Sequence, residues 1–165
     1  MSKIKIFSLG GLNENGKNMY IVKVNKDIFV FDAGLKYDND LNLGIDYIIP
    51  NFDYLIKNPG VPIDHKYVLK ARELGIEVMN EVEMAYRLLP EGVKMIAITG
   101  TNGKTTTTTL TYEIMKKAFG DKVFLAGNIG YPLSSILNDV KSGDIIVIEV
   151  SCQQLENLTQ FNPDV

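Results

Sequence analysis

The stretch that most constrains the fold of this 165-residue chain is a short apolar run that ends in glycines and leads into a helix-length segment. It reads Ile96-Ala-Ile-Thr-Gly-Thr-Asn-Gly-Lys-Thr-Thr-Thr-Thr108. Glycines let the backbone approach an anion closely, and a helix N-terminus presents unpaired N–H groups and the positive end of its dipole. The pattern therefore predicts a strand, a phosphate-binding loop and a helix in succession.

Two residues of the predicted loop would have distinct roles in binding a nucleoside triphosphate. The Lys104 ammonium would reach the outer phosphates, and the Thr105 hydroxyl would ligate Mg²⁺. The spacing is shorter than the common G-x-x-x-x-G-K-[ST] pattern, because Ile98 occupies the position of its first glycine. An ordinary β-turn before a threonine-rich helix is the alternative. The residues predicted to bind the nucleotide are Gly100, Thr101, Asn102, Gly103, Lys104, Thr105 and Thr106.

A second set of polar residues follows apolar runs further along the chain. Glu149 lies near the end of the run 144–150, and Asn128 follows an earlier run. The carboxyl ends of parallel strands meet at one edge of a sheet, the edge that also carries a phosphate loop. Glu149 is therefore predicted to hold Mg²⁺ together with Thr105, with a carboxylate that leans into solvent as the alternative. Asn128 would turn its amide into the same crevice, or serve only as a turn residue between two glycines.

The residue pattern changes near residue 52. Before it, alternating polar and apolar residues predict antiparallel strands within 3–9, 19–24 and 28–31. After it, the predicted strands are 54–56, 76–79, 95–99, 123–126 and 144–150, and the predicted helices are 64–74, 81–89, 104–119 and 131–140. Asp64 is expected to cap the first of these helices, and Asn80 and Glu83 to form a capping box at the second.

This order of elements predicts an α/β fold. We expect a partial P-loop parallel sheet with flanking helices, preceded by a short antiparallel β meander. The nearly continuous apolar run 144–150 is typical of a central parallel strand that is covered on both faces.

Composition excludes several classes of function. The net charge is −3 and no lysine or arginine cluster occurs, so no nucleic-acid partner is expected. No apolar run reaches membrane-spanning length, and a single cysteine fits a reducing compartment, so we expect a cytoplasmic protein without a membrane partner. We also expect it to be a monomer. The only histidine, His65, cannot build a multi-histidine metal centre. Any metal would therefore be held by oxygen.

Residues 52–165 closely resemble the Mur ligases, in particular the branch that adds D-glutamate to UDP-N-acetylmuramoyl-L-alanine. The short phosphate loop is that family's own form. The resemblance implies that ATP phosphorylates the muramoyl carboxylate and that the amine of D-glutamate attacks the acyl phosphate. The stretches that carry it are Lys57-Asn-Pro-Gly-Val-Pro62, Glu81-Val-Glu-Met-Ala-Tyr86, Thr99-Gly-Thr-Asn-Gly-Lys-Thr-Thr-Thr-Thr108, Ala126-Gly-Asn-Ile-Gly130 and Glu149-Val-Ser-Cys-Gln-Gln-Leu155.

The resemblance implies roles for individual residues. Lys104 and Glu149 would be catalytic, with Lys104 on the γ-phosphate and Glu149 as a magnesium ligand beside Thr105. The small-molecule partner would be a UDP-muramoyl peptide precursor. Cys152 stands where the family usually has serine, and Asn58 where it often has serine. The residues implied to bind this substrate are Asn58, Pro59, Gly60, Asn128, Ser151 and Gln154.

The first 52 residues resemble a different family, the metallo-β-lactamase-fold nuclease ribonuclease J. The metal-binding histidine motif of that family is not present, and one histidine in total excludes its chemistry. We therefore expect a chimeric chain with a β meander in 1–52, a remnant of a Mur ligase N-terminal domain in 53–90 and a truncated ATP-binding central domain in 91–165. The stretches involved are Gly10-Gly-Leu-Asn-Glu-Asn-Gly-Lys-Asn-Met-Tyr20, Phe29-Val-Phe-Asp-Ala-Gly34 and Leu43-Gly-Ile-Asp-Tyr-Ile-Ile-Pro50.

Several hypotheses remain open from the sequence. The first is an ATP-dependent amide ligase of peptidoglycan precursor synthesis, expected to be inactive at this length because the family's C-terminal domain is not included. The second is an ATP–Mg²⁺-binding P-loop module without ligation. A nuclease or RNA-binding fragment is opposed by the missing histidines and the acidic balance. The last is a fused chain without a unique fold, because its sheets would be left with exposed edges.

Overall fold

The computed structural model describes residues 4–10, 19–24, 26–31, 53–129, 131–156 and 158–165. The chain divides between Asn80 and Glu81 into two compact units, each described by itself below. The predicted three-segment division of the chain stays a prediction. Its first boundary, at residue 52, lies outside the described residues, as does most of the stretch compared with ribonuclease J.

The first unit contains a five-stranded sheet with the order β1-β2-β3-β4-β5. Strands β1, β2 and β3 form the predicted antiparallel meander. Strand β3 then pairs in parallel with β4, and β4 in parallel with β5, so the meander continues into the α/β part of this unit. The strands are β1 (Ile4–Gly10), β2 (Met19–Val24), β3 (Asp27–Phe31), β4 (Tyr54–Ile56) and β5 (Glu77–Met79).

Helix α1 (Lys66–Glu73) follows β4 and begins later than predicted. Its N-cap is His65 rather than Asp64: the ring Nδ1 of His65 accepts the N–H of Tyr67 at 3.3 Å. A turn closed by the His65 N–H on the carbonyl of Pro62, at 3.2 Å, extends past Asp64 and delays the helix. The prediction that Asp64 caps this helix was therefore wrong.

The second unit is built on a three-stranded parallel sheet with the order β6-β8-β7. Strand β8 is central and buries its last four residues, as its apolar run predicts. The predicted α/β architecture with a parallel sheet and flanking helices is confirmed. The elements are α2 (Glu81–Leu88), β6 (Lys94–Ile98), α3 (Lys104–Phe119), β7 (Val123–Gly127), β8 (Ile145–Glu149) and α4 (Cys152–Leu155).

The predicted helix over 131–140 is only a short 3-10 helix, Leu133–Ile136. The hydroxyl and N–H of Ser135 both donate to the carbonyl of Pro132, at 2.7 and 3.0 Å, which closes a tight turn. The Ser134 N–H donates instead to the Glu81 carboxylate, so it is not available to a longer helix. Serines that bond nearby backbone in this way favour turns over helix interiors.

The apolar core of the second unit lies between one face of its sheet and the layer formed by α2 and the 3-10 helix. Fully buried side chains from β8, α2 and the 3-10 helix dominate it, and this burial is the main stabilising contribution of the unit. Among the helices that the structure describes, none is both long enough and apolar enough to cross a membrane. The core residues are Val82, Ala85, Met95, Ala126, Leu133, Val140, Ile146, Ile148 and Val150.

Candidate phosphate-binding site

The loop between β6 and α3 has the backbone that the glycine pattern predicts. Gly100 has a φ of 143° and Gly103 a φ of 77°, both in the region that disfavours residues with a Cβ. Gly103 is also the N-cap of α3, and no side chain caps the helix there. The loop therefore leads directly into a helix N-terminus that lacks a side-chain cap, the arrangement that suits an anion.

Lys104 folds its side chain back over this loop. Its Nζ donates to the carbonyl oxygens of Gly100, at 2.7 Å, and Thr101, at 3.3 Å. The ammonium therefore closes the loop on itself and lies beside the backbone that would surround a phosphate. A phosphate oxygen can replace these neutral carbonyls as a stronger, charge-assisted acceptor.

Glu149 is the centre of the polar contacts at the end of β8. Its exposed fraction is only 2%, so the alternative of a carboxylate that leans into solvent is wrong. Oε2 accepts the hydroxyl of Thr105 at 2.8 Å, and Oε1 accepts the side-chain amide of Asn128 at 2.9 Å. The structure thus brings together the residues that were predicted from three separate parts of the sequence.

Gly127 has a role in this site that the sequence reasoning missed. A Cβ on Gly127 would lie 2.2 Å from the carbonyl oxygen of Glu149 and 2.6 Å from Ile148, and the φ of Gly127 is +99°. The next residue, Asn128, donates its N–H to the same Glu149 oxygen at 2.8 Å. The glycine that ends β7 directly before Asn128 was the available signal, because a glycine within a strand often marks a close approach of another backbone.

The donor set fits a magnesium ion that is shared with phosphate. The Glu149 carboxylate and the Thr105 hydroxyl offer the oxygen ligands that Mg²⁺ prefers, and both side-chain donors to Glu149 are neutral. In the described part of the chain, no group of three or more histidine, cysteine or acidic side chains could hold a metal. One carboxylate and one hydroxyl match the way Mg²⁺ is held when phosphate oxygens and water supply the other ligands.

The residues predicted to bind the UDP-muramoyl substrate are placed as follows. In the first unit, Asn58, Pro59 and Gly60 form a closed turn, in which the Asn58 side-chain oxygen accepts the Gly60 N–H at 2.9 Å. In the second unit, Ser151 and Gln154 form a capping box at the start of α4, with side chains that bond each other's backbone N–H. Their roles in binding a substrate stay predictions.

Known proteins support the Mur ligase resemblance. The family model of the Mur ligase middle domain matches residues 98–165. The UDP-N-acetylmuramoylalanine--D-glutamate ligase of Natranaerobius thermophilus is 46% identical over 123 residues, which is 71% of this chain and 26% of that protein. The ligase of the same name from Caldicellulosiruptor saccharolyticus is 45% identical over 129 residues, 78% of this chain and 27% of that protein.

A third relative covers nearly the whole chain. The UDP-N-acetylmuramoylalanine--D-glutamate ligase of Exiguobacterium sibiricum is 38% identical over 176 residues, which is 99% of this chain and 38% of that protein. The chain therefore spans between 26% and 38% of the length of these three relatives.

The alignment with the Exiguobacterium sibiricum ligase does not support the expected chimera. A single ligase aligns with the first 52 residues as well as with the rest, and the resemblance to ribonuclease J finds no support. The comparisons support the Mur ligase part of the resemblance alone, with residues 98–165 matching the middle domain of that family.

Proposed function

We propose that this chain carries the ATP-binding part of an ATP-dependent amide ligase of peptidoglycan precursor synthesis. The ligase would add D-glutamate to UDP-N-acetylmuramoyl-L-alanine through an acyl phosphate. The single observation that carries the proposal is the contact between Thr105, at the start of α3, and the buried Glu149 at the end of β8. That contact lies at the sheet edge where α/β folds of this type bind nucleotides.

In this proposal each residue has a defined task. The glycine loop binds the phosphates through main-chain N–H groups, and Lys104 moves from the loop carbonyls to the γ-phosphate. Thr105 and Glu149 hold Mg²⁺, and Asn128 keeps the Glu149 carboxylate oriented. Bound ATP–Mg²⁺ would supply the phosphoryl group that activates the muramoyl carboxylate.

The muramoyl substrate would be held by the remaining predicted residues. Asn58, Pro59 and Gly60 would face the uridine nucleotide. Asn128, Ser151 and Gln154 would line the nucleotide and muramoyl site. The small-molecule substrate, a cytoplasmic location and a monomeric state all belong to this proposal. The main support for the proposed substrate is the name shared by the D-glutamate ligases that match the chain.

A second candidate function is an ATP–Mg²⁺-binding module without ligation. The observation that favours it is that the contacts of Thr105 and Asn128 with Glu149 all belong to the proposed nucleotide site. Amide formation needs the amino acid and the acyl phosphate to be held together in one site, because positioning contributes much of the rate. Nucleotide binding needs only the loop and its neighbours.

A turnover assay distinguishes the two candidates. The 165-residue chain is incubated with ATP and Mg²⁺, and phosphate release is measured with UDP-N-acetylmuramoyl-L-alanine, with D-glutamate, with both and with neither. Phosphate release that requires both substrates supports the ligase. Retention of ATP by the chain without phosphate release supports the module. A chain that neither retains nor hydrolyses ATP contradicts both.

A further inference from the structure

Glu83, on helix α2, is a fully buried carboxylate that lies outside the proposed nucleotide site. Its two carboxylate oxygens accept hydrogen bonds from residues 159–161, in the segment that follows α4. Oε1 accepts the Gln160 N–H at 2.8 Å and the Thr159 hydroxyl at 2.9 Å, and Oε2 accepts the Phe161 N–H at 3.0 Å. Both carboxylate oxygens therefore bind consecutive groups of one short stretch of chain.

Arg87, one turn further along α2, completes this contact. Its Nε donates to Oε1 of Glu83 at 2.9 Å, and its Nη2 donates to the Thr159 hydroxyl at 2.8 Å. Burial by itself raises the pKa of the Glu83 carboxyl, but the hydrogen bonds that it accepts, led by those from the Gln160 N–H and the Arg87 side chain, hold the pKa below its usual range. Glu83 is therefore ionised, and its bonds are of the stronger, charge-assisted kind.

The same segment continues along α2 towards the sheet. The rings of Tyr86 and Phe161 pack edge to face with their centroids 5.3 Å apart, and the Tyr86 hydroxyl donates to the carbonyl of Asn162 at 3.0 Å. Such aromatic pairs contribute beyond the apolar area that they bury. These contacts lead the chain from α2 to the outer edge of β6.

At that edge the last residue begins to pair with β6. The carbonyl of Met95 accepts the Asp164 N–H at 2.9 Å and the Val165 N–H at 3.3 Å, and the Ala97 N–H donates to the carbonyl of Val165 at 2.8 Å. In a parallel ladder, the N–H and the carbonyl of one residue bond the two residues on either side of the residue opposite it. Val165 is therefore in parallel register with Ile96, on the side of β6 opposite to β8.

We propose that Glu83 is a positioning residue that seats residues 159–165 along the outer edge of β6, the strand that carries the phosphate loop. The carboxylate acts at Thr159, Gln160 and Phe161. Further along the segment, the Asp164 carboxylate accepts the Met95 N–H at 2.8 Å, and the two contacts together set the register of Val165 on β6. A glutamine cannot replace Glu83 fully. One of its two oxygens would become an NH₂ donor, which would face an N–H or hydroxyl donor that Glu83 accepts.

Amide hydrogen exchange of the 165-residue chain, followed by NMR, tests this proposal. The Ala97 N–H reports the outer edge of β6, because it donates to Val165. The Val150 N–H reports the inner edge, because it donates to Ile98 at 2.9 Å. In Glu83→Gln, exchange at Ala97 is expected to rise about tenfold, while exchange at Val150 is unchanged, since the loss of a charge-assisted bond acts on the segment alone.

The matched control is Glu81→Gln. Glu81 lies on the same helix and its carboxylate also accepts a backbone N–H, but from Ser134 rather than from residues 159–161. The control is expected to leave exchange at Ala97 at the wild-type rate. An Ala97 rate in Glu83→Gln that is unchanged, or that rises only in step with the Val150 rate, overturns the proposal.

A second variant keeps the test decisive if Glu83→Gln does not fold. Thr159→Val leaves the carboxylate in place and removes one hydroxyl that donates to it. It is expected to raise exchange at Ala97 about threefold and leave Val150 unchanged, because the hydroxyl's bonds to Glu83 and from Arg87 are lost while the two backbone N–H bonds to the carboxylate remain. Equal rates in wild type and Thr159→Val contradict the proposal. The measurement needs no nucleotide, so its failure is distinct from failure of the proposed function.

Discussion

The hydroxyl of Thr105 donates to Oε2 of Glu149 over 2.8 Å, which joins the first turn of α3 to the carboxyl end of β8. The sheet register explains why these two residues meet. Glu149 pairs with Ile98 of β6 on one side and with Gly127 of β7 on the other, so it lies at the centre of the edge where the loop begins. The two oxygen groups proposed to hold Mg²⁺ are thus in direct contact with each other.

The first prediction concerns Lys104. Lys104→Ala removes the ammonium that lies over the loop, and ATP affinity is expected to fall at least a hundredfold, because a charge-assisted bond to the outer phosphates is lost. Titration of each variant with ATP and Mg²⁺ in a calorimeter measures this. Lys117→Ala, on the exposed face near the end of the same helix, is the control and is expected to bind as the wild type does. Equal affinity in the two variants would remove Lys104 from the site.

The second prediction concerns Glu149. Glu149→Gln keeps the shape of the side chain but removes the negative charge that would attract Mg²⁺, so magnesium-dependent ATP binding is expected to weaken about tenfold or more. ATP binding in EDTA should change much less. Glu113→Gln, on an exposed position of α3, is the matched control. An equal loss with and without magnesium would show that Glu149 acts on the nucleotide or the fold instead of the metal.

The third prediction concerns Gly127. Gly127→Ala places a Cβ 2.2 Å from the Glu149 carbonyl oxygen on a backbone with a φ of +99°. We expect the free energy of unfolding to fall by about 3 kcal/mol, because steric overlap adds to the backbone strain. Urea denaturation measures it.

Gly143→Ala is the control for this substitution. Gly143 has a φ of +87° with nothing within 4 Å of its added Cβ, so only the strain, about 1 kcal/mol, is expected. If both alanine variants lose the same stability, the close approach of Gly127 to Glu149 is not significant in solution.

The fourth prediction concerns pH. The pKa of Glu83 is lower in the folded chain than its ordinary value of 4.5, so the unfolded chain binds the proton more readily. The stabilisation is fully present above pH 4.5 and is lost as the pH falls below that value towards the folded pKa. The free energy of unfolding should therefore fall on acidification, and fall less steeply in Glu83→Gln. Parallel pH curves for wild type and Glu83→Gln would refute this.

Some of the fold and of the site follows from local patterns and topology. Helix α3 has its predicted bounds, because a glycine precedes it and another follows it, at Gly103 and Gly120. The central place of β8 follows from its apolar run, since only a strand covered on both faces tolerates one. The meeting of Thr105 and Glu149 follows from the rule that parallel strands end at one edge.

Other features depend on contacts between distant residues and were not predictable from local sequence. Glu83 was predicted only as the partner of Asn80 in a capping box, and its bonds to residues 159–161 depend on where the chain returns after β8. His65 replaces Asp64 as the cap because of a preceding turn. The likeness of the first 52 residues to a nuclease depended on short motifs, whereas one ligase aligns across the region.

The most direct test of the central claim is calorimetric titration of the wild-type chain with ATP in the presence of Mg²⁺, after a cooperative unfolding transition has been recorded. The site of Gly100 to Thr105 with Glu149 predicts saturable binding of ATP that weakens when magnesium is removed. AMP, which lacks the outer phosphates, is the matched ligand and should give no saturable heat. A folded chain that gives no saturable heat with ATP and Mg²⁺, or that binds AMP as tightly as ATP, would contradict the account.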